Sequence, residues 1–151
     1  MEMDYNKIYN KILTDEEFME TKQHGSSDYP FQYYYDNLEL FDFHCIEWHW
    51  HREFEFLYVE SGQVTCGIGE KQIILSEGEA IFINSKILHR FYAPSGGIIP
   101  NFVCMPEFIA PENSLIYKKY ILPIISSNIY FQRFQTDELW QTKIIQTMIK
   151  I

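Results

Sequence analysis

Between residues 31 and 105 the chain is a succession of short segments of β character separated by turn residues. The segments are rich in aromatic and β-branched side chains, whereas the connections carry glycine, serine or proline. Evenly spaced short strands with glycine turns predict a β-sandwich or barrel, and 151 residues suit a single domain with a real core. The predicted strands are 31–35, 41–50, 53–59, 64–68, 72–75, 80–84, 89–92 and 98–105.

Three chemically active side chains, His49, His51 and Glu55, are separated by even numbers of residues. Residues of equal parity on one pleated strand point to the same face, so we expect these three to share a side. Trp48 and Trp50 have the opposite parity and are predicted to lie in the core. Such a strand is typical of the wall of a small barrel whose interior holds the polar groups.

The spacing HxHxxxExxxxxxG, formed by His49, His51, Glu55 and Gly62, resembles the first motif of the cupin superfamily. The second cupin motif finds Gly78 and His89 in register. The resemblance implies a mainly β fold, the cupin double-stranded β-helix or jelly-roll barrel, followed here by C-terminal α-helices. It also implies that His89 joins the first three side chains in one pocket.

Several scaffold positions of the two motifs carry other residues: Phe43, Asn84, Lys86 and Ala93 replace glycine, proline, glycine and asparagine. The wider stretch from residue 30 to 150 is similar to the N-terminal sensor of AraC-type transcriptional regulators. This likeness implies an arm at 1–30, a cupin barrel at 31–110 and a helical dimerisation segment at 111–151. It further implies that DNA is contacted only through a C-terminal helix-turn-helix domain absent from this chain.

Residues 1–30 combine a predicted short helix at 16–20 with a polar connection, 23–28, that contains glycine and serine and ends at Pro30. We expect a mobile arm, and the resemblance to AraC-type sensors implies that it folds over the pocket.

Helical periodicity appears after Pro111, where apolar residues three and four apart predict helices at 115–122 and 139–149. Pro123 should end or kink the first helix, and residues 136–138 should cap the second. The chain stops within this apolar pattern, and we expect it to continue into the DNA-binding part. An exposed apolar stripe predicts an isologous homodimer; it comprises Trp140, Ile144, Ile145, Met148 and Ile149.

The net charge of −9 and the isoelectric point near 4.9 argue against binding of nucleic acid by this chain itself. Its three cysteines are odd in number and lack CxxC spacing, so we expect reduced, buried thiols. The first residues do not resemble a signal peptide, and no apolar run reaches the ~18 residues of a membrane span. We therefore expect a cytoplasmic protein without a membrane partner.

Two chemistries are open to His49, His51, Glu55 and His89. Three imidazoles and a carboxylate suit one divalent transition metal, such as zinc, iron, nickel or manganese. The same groups also suit hydrogen bonds to the hydroxyls of a sugar, with Phe91, which shares the parity of His89, as a platform for the ligand.

Two classes of function follow from these chemistries. The first is a sensor that binds a small-molecule effector, a sugar or related metabolite, and has no catalytic residues. The second is a metal-dependent cupin enzyme, such as an isomerase or dioxygenase. The resemblance to AraC-type sensors favours the first.

Overall fold

The computed structural model describes residues 11–151, in which ten strands form two antiparallel sheets. The strands are β1 (Phe31–Asn37), β2 (Cys45–His49), β3 (Phe54–Tyr58), β4 (Ser61–Gly62), β5 (Val64–Ile68), β6 (Lys71–Leu75), β7 (Ala80–Ile83), β8 (His89–Tyr92), β9 (Gly97–Cys104) and β10 (Phe131–Phe134). One sheet has the order β1-β9-β3-β7-β10, with β4 also paired to β9, and the other has the order β2-β8-β5-β6. The predicted mainly β jelly-roll barrel is confirmed.

The barrel core lies between the two sheets. Leu57 and Ile81 of the larger sheet are fully buried, as are Cys66 and Phe91 of the smaller one, and all four belong to one apolar cluster. Because side chains alternate along each strand, the intervening residues point away from this core. The three cysteines are all buried free thiols, as expected.

The outer face of the larger sheet is also apolar and is covered by the C-terminal helices. Phe54, Phe82 and Phe102 form a second cluster there with Ile145 and Met148. The helical elements are α1 (Pro106–Ile109), a π-helical turn (Tyr117–Ile121), α2 (Leu122–Ile125) and α3 (Leu139–Ile149). Two residues of the predicted dimer stripe, Ile145 and Met148, are therefore part of the core of one molecule.

The C-terminal part of the chain differs from the prediction at three points: the cap of α3, the effect of Pro123 and an additional strand. α3 matches the prediction, but its N-cap is Glu138 and no side chain makes a capping hydrogen bond. Pro123 does not end the first helix, which continues to Ile125, but a π-helical turn, Tyr117–Ile121, directly precedes α2 and interrupts the regular helix. β10 was not predicted, although it lies between α2 and α3 and pairs with β7 of the barrel.

The predicted strand 41–50 is shorter in the structure, because residues 42–44 form a 3-10 turn before β2. Within this turn Phe43 has a φ of 58°, and Lys86 has a φ of 63° in the loop before β8. Both residues occupy motif positions at which cupins carry glycine. The left-handed backbone expected of glycine is thus retained by side chains for which it costs about 1–2 kcal/mol.

The described part of the arm contains a turn where the helix at 16–20 was predicted. The carboxylate of Asp15 accepts hydrogen bonds from the backbone N–H groups of Glu17 and Met19, and Phe18 has a φ of 66°. These contacts form a tight turn, so the helix prediction is wrong. Residues 1–10 of the arm lie outside the described residues.

The two tryptophans assigned to the core are only half-buried. Trp48 packs over Gly67 on the outer face of the smaller sheet, with the Arg90 guanidinium 5.7 Å from its ring centroid. Trp50 pairs with the arm, and its indole N–H donates to the carbonyl of Glu17 at 2.9 Å. Both side chains lie outside the pocket, as their parity predicts, but the prediction that they lie in the core is wrong.

Across residues 11–151, none of the helices has both the length and the apolar character that a membrane crossing requires.

Candidate metal centre

The four residues of the predicted pocket come from three strands and a loop. His49 ends β2, His51 lies in the loop between β2 and β3, Glu55 lies in β3, and His89 begins β8. The prediction that the first three share one continuous strand is therefore wrong. They converge because the loop turns the chain from one sheet into the other.

A break in the strand register places His49 inside the barrel. The pairing of β2 with β8 shifts between Ile46 and His49, so both side chains are buried although their spacing is odd. A β-bulge of this kind redirects the side chains that follow it. His49 then lies opposite His89 on the same sheet, whereas Glu55 reaches them from the facing sheet.

His49, His51, Glu55 and His89 all converge in the structure. One ligand atom from each residue can be chosen so that all lie within 4.8 Å of one another, and all four residues are buried. The geometric expectation that His89 joins the other three is confirmed by this arrangement. Their function as ligands stays a prediction.

Each histidine of the centre is oriented by a backbone carbonyl two residues away. The Nδ1 atoms of His49, His51 and His89 lie 2.7, 3.2 and 2.7 Å from carbonyl oxygens. A carbonyl only accepts, so each Nδ1 must carry the proton and donate. In the neutral rings Nε2 is then left with a lone pair, the tautomer that a metal ligand requires.

The position of Glu55, the fourth residue of the centre, requires a cation beside it. Its Oε2 lies 3.0 Å from Nε2 of both His51 and His89. With neutral rings, three acceptor atoms would face one another without a donor, which is unfavourable in a buried site. A proton or a metal ion between them removes the conflict.

The electrostatics of the metal-free centre agree with a shared proton. Burial alone would lower the pKa of His51, but its hydrogen bond to Glu55 and the charge of that carboxylate outweigh burial and raise it. Burial likewise opposes ionisation of Glu55, yet the hydrogen bonds from His51 and His89 hold the pKa of Glu55 well below its usual value.

His49 behaves differently from His51, because no carboxylate of residues 11–151 is in hydrogen-bonding contact with it. Burial, followed by the proximity of His89, lowers the pKa of His49 to about 3. This imidazole is therefore neutral at physiological pH and ready to coordinate a metal without first losing a proton. The residues present thus fit one divalent transition metal, held by three imidazole nitrogens and one carboxylate.

The centre opens into a cavity of about 410 Å³. Phe91, predicted as a ligand platform, lines this cavity and packs edge-on against His89 with ring centroids 5.5 Å apart. Apolar residues such as Ile46 and Val103 form part of the wall. The cavity therefore offers both polar and apolar contacts to a small molecule.

Several polar residues of the cavity escaped sequence reasoning: Glu20, His24, Tyr34, Asp36 and Asn101. Glu20 and His24 come from the arm and are buried, with Glu20 Oε2 2.9 Å from His24 Nε2. The other ring nitrogen of His24 lies 2.6 Å from the Tyr34 hydroxyl. Parity was the available signal: residue 34 lies on the predicted strand 31–35, residue 36 directly follows it, and residue 101 lies on the predicted strand 98–105.

Comparison with protein families agrees with this architecture. Residues 45–99, which include all four residues of the centre, match the family model described as Cupin domain. Residues 45–99 thus have the sequence pattern of a cupin domain. The match begins at β2 and ends within β9, so the arm and the C-terminal helices flank the part that the family describes.

A curated relative of the cupin-containing chain is an uncharacterized HTH-type transcriptional regulator, YdeC, of Bacillus subtilis (strain 168). The two are 26% identical over 144 residues, which cover 93% of this chain and 48% of the relative. The chain thus spans about half the length of the curated relative it matches.

Two solved structures illustrate similarity to the cupin domain. The SPY1581 protein of unknown function from Streptococcus pyogenes is 20% identical, with a TM-score of 0.46, and covers 51% of this chain and 66% of its own. An RmlC-like cupin from Shewanella frigidimarina NCIMB 400 is 21% identical, with a TM-score of 0.44, and covers 49% and 65%.

Proposed function

We propose that this chain is the effector-sensing and dimerisation part of a cytoplasmic AraC-type transcriptional regulator. Its cavity binds a small molecule, a sugar or a related metabolite, and a C-terminal helix-turn-helix domain outside this chain contacts DNA. The observation that carries the proposal is the extent of the similarity to an HTH-type regulator. That similarity covers 93% of the chain, well beyond the cupin domain at 45–99.

The construction of the cavity supports a sensor, because two separable parts of the chain line it. Residues 11–13, 20–22 and 24 of the arm contribute to one side, and residues of the barrel form the rest. A ligand in contact with both parts stabilises the arrangement in which they meet. Binding is thereby converted into a change in the position or order of the arm, which a second domain can read.

The metal centre belongs to this proposal as the polar end of the cavity. His49, His51, Glu55 and His89 would hold one zinc, iron, nickel or manganese ion, which would supply a Lewis acid for an oxygen of the ligand. The backbone carbonyls that orient the three rings would keep the ligating nitrogens in place.

A homodimer is supported by apolar side chains that remain exposed after Ile145 and Met148 are buried. The six side chains in question are at least half exposed and lie in or beside the C-terminal helices: Leu115, Ile116, Tyr120, Leu139, Trp140 and Ile149. Exposed apolar side chains of this number favour association with another protein surface. In an isologous dimer the same region of two chains would cover itself.

A metal-dependent cupin enzyme, such as an isomerase or dioxygenase, is the second candidate function. It is favoured by one observation, the set of Nε2 lone pairs and the Glu55 carboxylate facing a cavity with room for a substrate. In that case the same four residues would bind the metal that polarises a carbonyl or activates oxygen.

A fusion experiment tests the sensor proposal. The chain is joined to a DNA-binding domain that binds its operator only as a dimer, and a reporter is measured across a metabolite library. We expect repression by the fusion and relief or enhancement by one class of small molecule. Trp140→Ser should weaken repression, whereas Glu77→Gln, at an exposed turn, should not.

The following results would contradict the sensor proposal. A fusion that remains monomeric by light scattering and ignores every metabolite would contradict it, particularly if the purified chain turned over a substrate with metal bound. The isolated acidic chain should not bind duplex DNA at physiological salt, and micromolar affinity in an anisotropy titration would contradict the assignment of DNA binding to another domain.

A further inference from the structure

We propose that Asp36 and Asn101 form a second polar subsite in the cavity, which binds hydroxyl groups of a neutral polyol. The inference rests on the proposed function and names the part of the effector that the metal centre does not contact. It concerns the wall formed by β1 and β9 rather than either cupin motif, since residue 36 precedes the region matched by the family and residue 101 follows it.

The position of the subsite follows from strand pairing. Glu55 of β3 lies opposite Val103 of β9, and the next inward-facing residue along β9 is Asn101, about 7 Å further along the strand. On the other side of β9, Asp36 of β1 lies opposite Ile99. Glu55 of the metal centre and this subsite are therefore neighbouring positions on one sheet, and they line the same cavity.

The hydrogen bonds of the pair leave only acceptors for a ligand. Asn101 donates from Nδ2 to Asp36 Oδ2 and to the carbonyl of Ile99, both at 2.9 Å, which uses both of its N–H groups. Within residues 11–151, no donor reaches the remaining Oδ1 atom of either side chain, and no lysine or arginine forms an ion pair with Asp36. Both oxygens are accessible to solvent. Every fully buried side-chain polar atom within residues 11–151 has a hydrogen-bond partner, and these two oxygens have none.

The surroundings of the subsite suit a ligand that carries hydroxyl groups on an apolar ring. Lys22, whose amine lies 4.8 Å from the Tyr34 ring centroid, also lines the cavity and offsets part of the charge of Asp36. Hydroxyl groups can donate to the free oxygens of Asp36 and Asn101 without adding a charge to this mixed lining. Phe41 and Phe91 line the same cavity and suit the C–H face of a sugar ring.

The energetics of Asp36 agree with a ligand-binding role. Burial raises the pKa of Asp36, the hydrogen bond from Asn101 opposes the rise, and the charge of Glu55 adds to it. A partly buried carboxylate without a paired cation lowers the stability of the fold. We therefore expect the isosteric Asp36→Asn variant to melt at the same temperature as the parent or higher, while losing ligand affinity.

Calorimetric titration with defined polyols tests the subsite. The probes are D-glucose, D-galactose, D-xylose and myo-inositol, each compared with a monodeoxy analogue, and the protein is titrated with and without zinc. We expect at least one polyol to bind and to lose about 10–100-fold in affinity with Asp36→Asn, the equivalent of one charge-assisted hydrogen bond. Zinc affinity should be unchanged by this variant, and Asp137→Asn, on the exposed surface, should change neither.

The outcomes separate this inference from the function on which it rests. Equal polyol affinity in the parent and in Asp36→Asn would overturn the subsite and leave the sensor proposal standing. Binding of no polyol by the parent would overturn the subsite and the sugar assignment, whereas the reporter fusion would still decide whether the chain is a sensor. Should Asp36→Asn fold poorly, Asn101→Ala gives the same test, because it removes the donor that orients Asp36.

Discussion

Replacing Glu55 by glutamine separates the two roles of this residue, as a partner of His51 and as a metal ligand. The exchange is isosteric and puts an NH₂ group where Oε2 now lies, 3.0 Å from two Nε2 atoms. One N–H can point to each ring. In the metal-free protein, the variant therefore supplies donors to a centre that otherwise depends on a shared proton.

The change in folding stability caused by Glu55→Gln depends on pH. The shifted pKa of His51 determines its direction. The raised pKa stabilises the parent fully below the unfolded value of 6.5, and this stabilisation is lost as pH rises through the folded pKa. At pH 6 the variant replaces a charge-assisted hydrogen bond by a neutral one and should be less stable by roughly 1–2 kcal/mol. Toward pH 9 the difference should vanish or reverse, because the parent then holds acceptors without a donor.

The same substitution, Glu55→Gln, should weaken metal binding, because the amide carries no charge. Removing one partner of a buried charge pair costs about 3–5 kcal/mol, so metal affinity should fall at least ~100-fold. Urea unfolding in EDTA at pH 6, 7.5 and 9, and chelator competition with zinc at pH 7.5, measure the two effects, with Glu77→Gln as the matched surface control. Equal destabilisation at every pH would refute the acceptor conflict, and unchanged zinc affinity would refute ligation by Glu55.

Three further changes follow from single contacts. His51→Ala should remove most bound metal, whereas His44→Ala, at a histidine outside the centre, should retain it, as measured by metal analysis after dialysis. Lys86→Gly should raise stability by about 0.5–1 kcal/mol in urea unfolding, because glycine accepts the φ of 63° without strain. Asn84→Ala should lower it by about 2 kcal/mol or more, since Nδ2 of this buried residue donates to two backbone carbonyls at 2.9 and 2.8 Å; an unchanged unfolding midpoint would contradict that assignment.

The strands bounded by clear turn residues were predictable from sequence, as β5 and β8 show by matching their predicted limits. β10 was not, because its two phenylalanines, Phe131 and Phe134, are three residues apart and imitate helical spacing. Pairing with β7 determines its conformation, and that pairing joins residues about fifty positions apart. Local pattern alone carries no information about such a partner.

The site shows the same limit in another form. Parity indicated the right side chains for the metal centre, but on the assumption of one unbroken strand; a bulge and a loop in fact direct them inward. The motif spacing identified the same residues because it is the spacing that this bulge and loop require. The spacing by itself does not reveal either feature. Asp36 and Asn101, which are 65 residues apart, belong to no motif and meet only because β1 pairs with β9.

The loop that carries His51 links the metal centre to the arm. On one side, the carbonyl of His51 accepts from the backbone of Lys86 at 2.8 Å, which fixes the loop to the barrel. On the other, Trp50 exchanges backbone hydrogen bonds of 3.0 Å with Phe18 and Glu20 of the arm. His24 also packs edge-on against His51, with ring centroids 5.6 Å apart. These contacts connect His51 to the arm, so we expect a group bound at the centre to stabilise the position that the arm has here, which is the coupling that the proposed sensor needs.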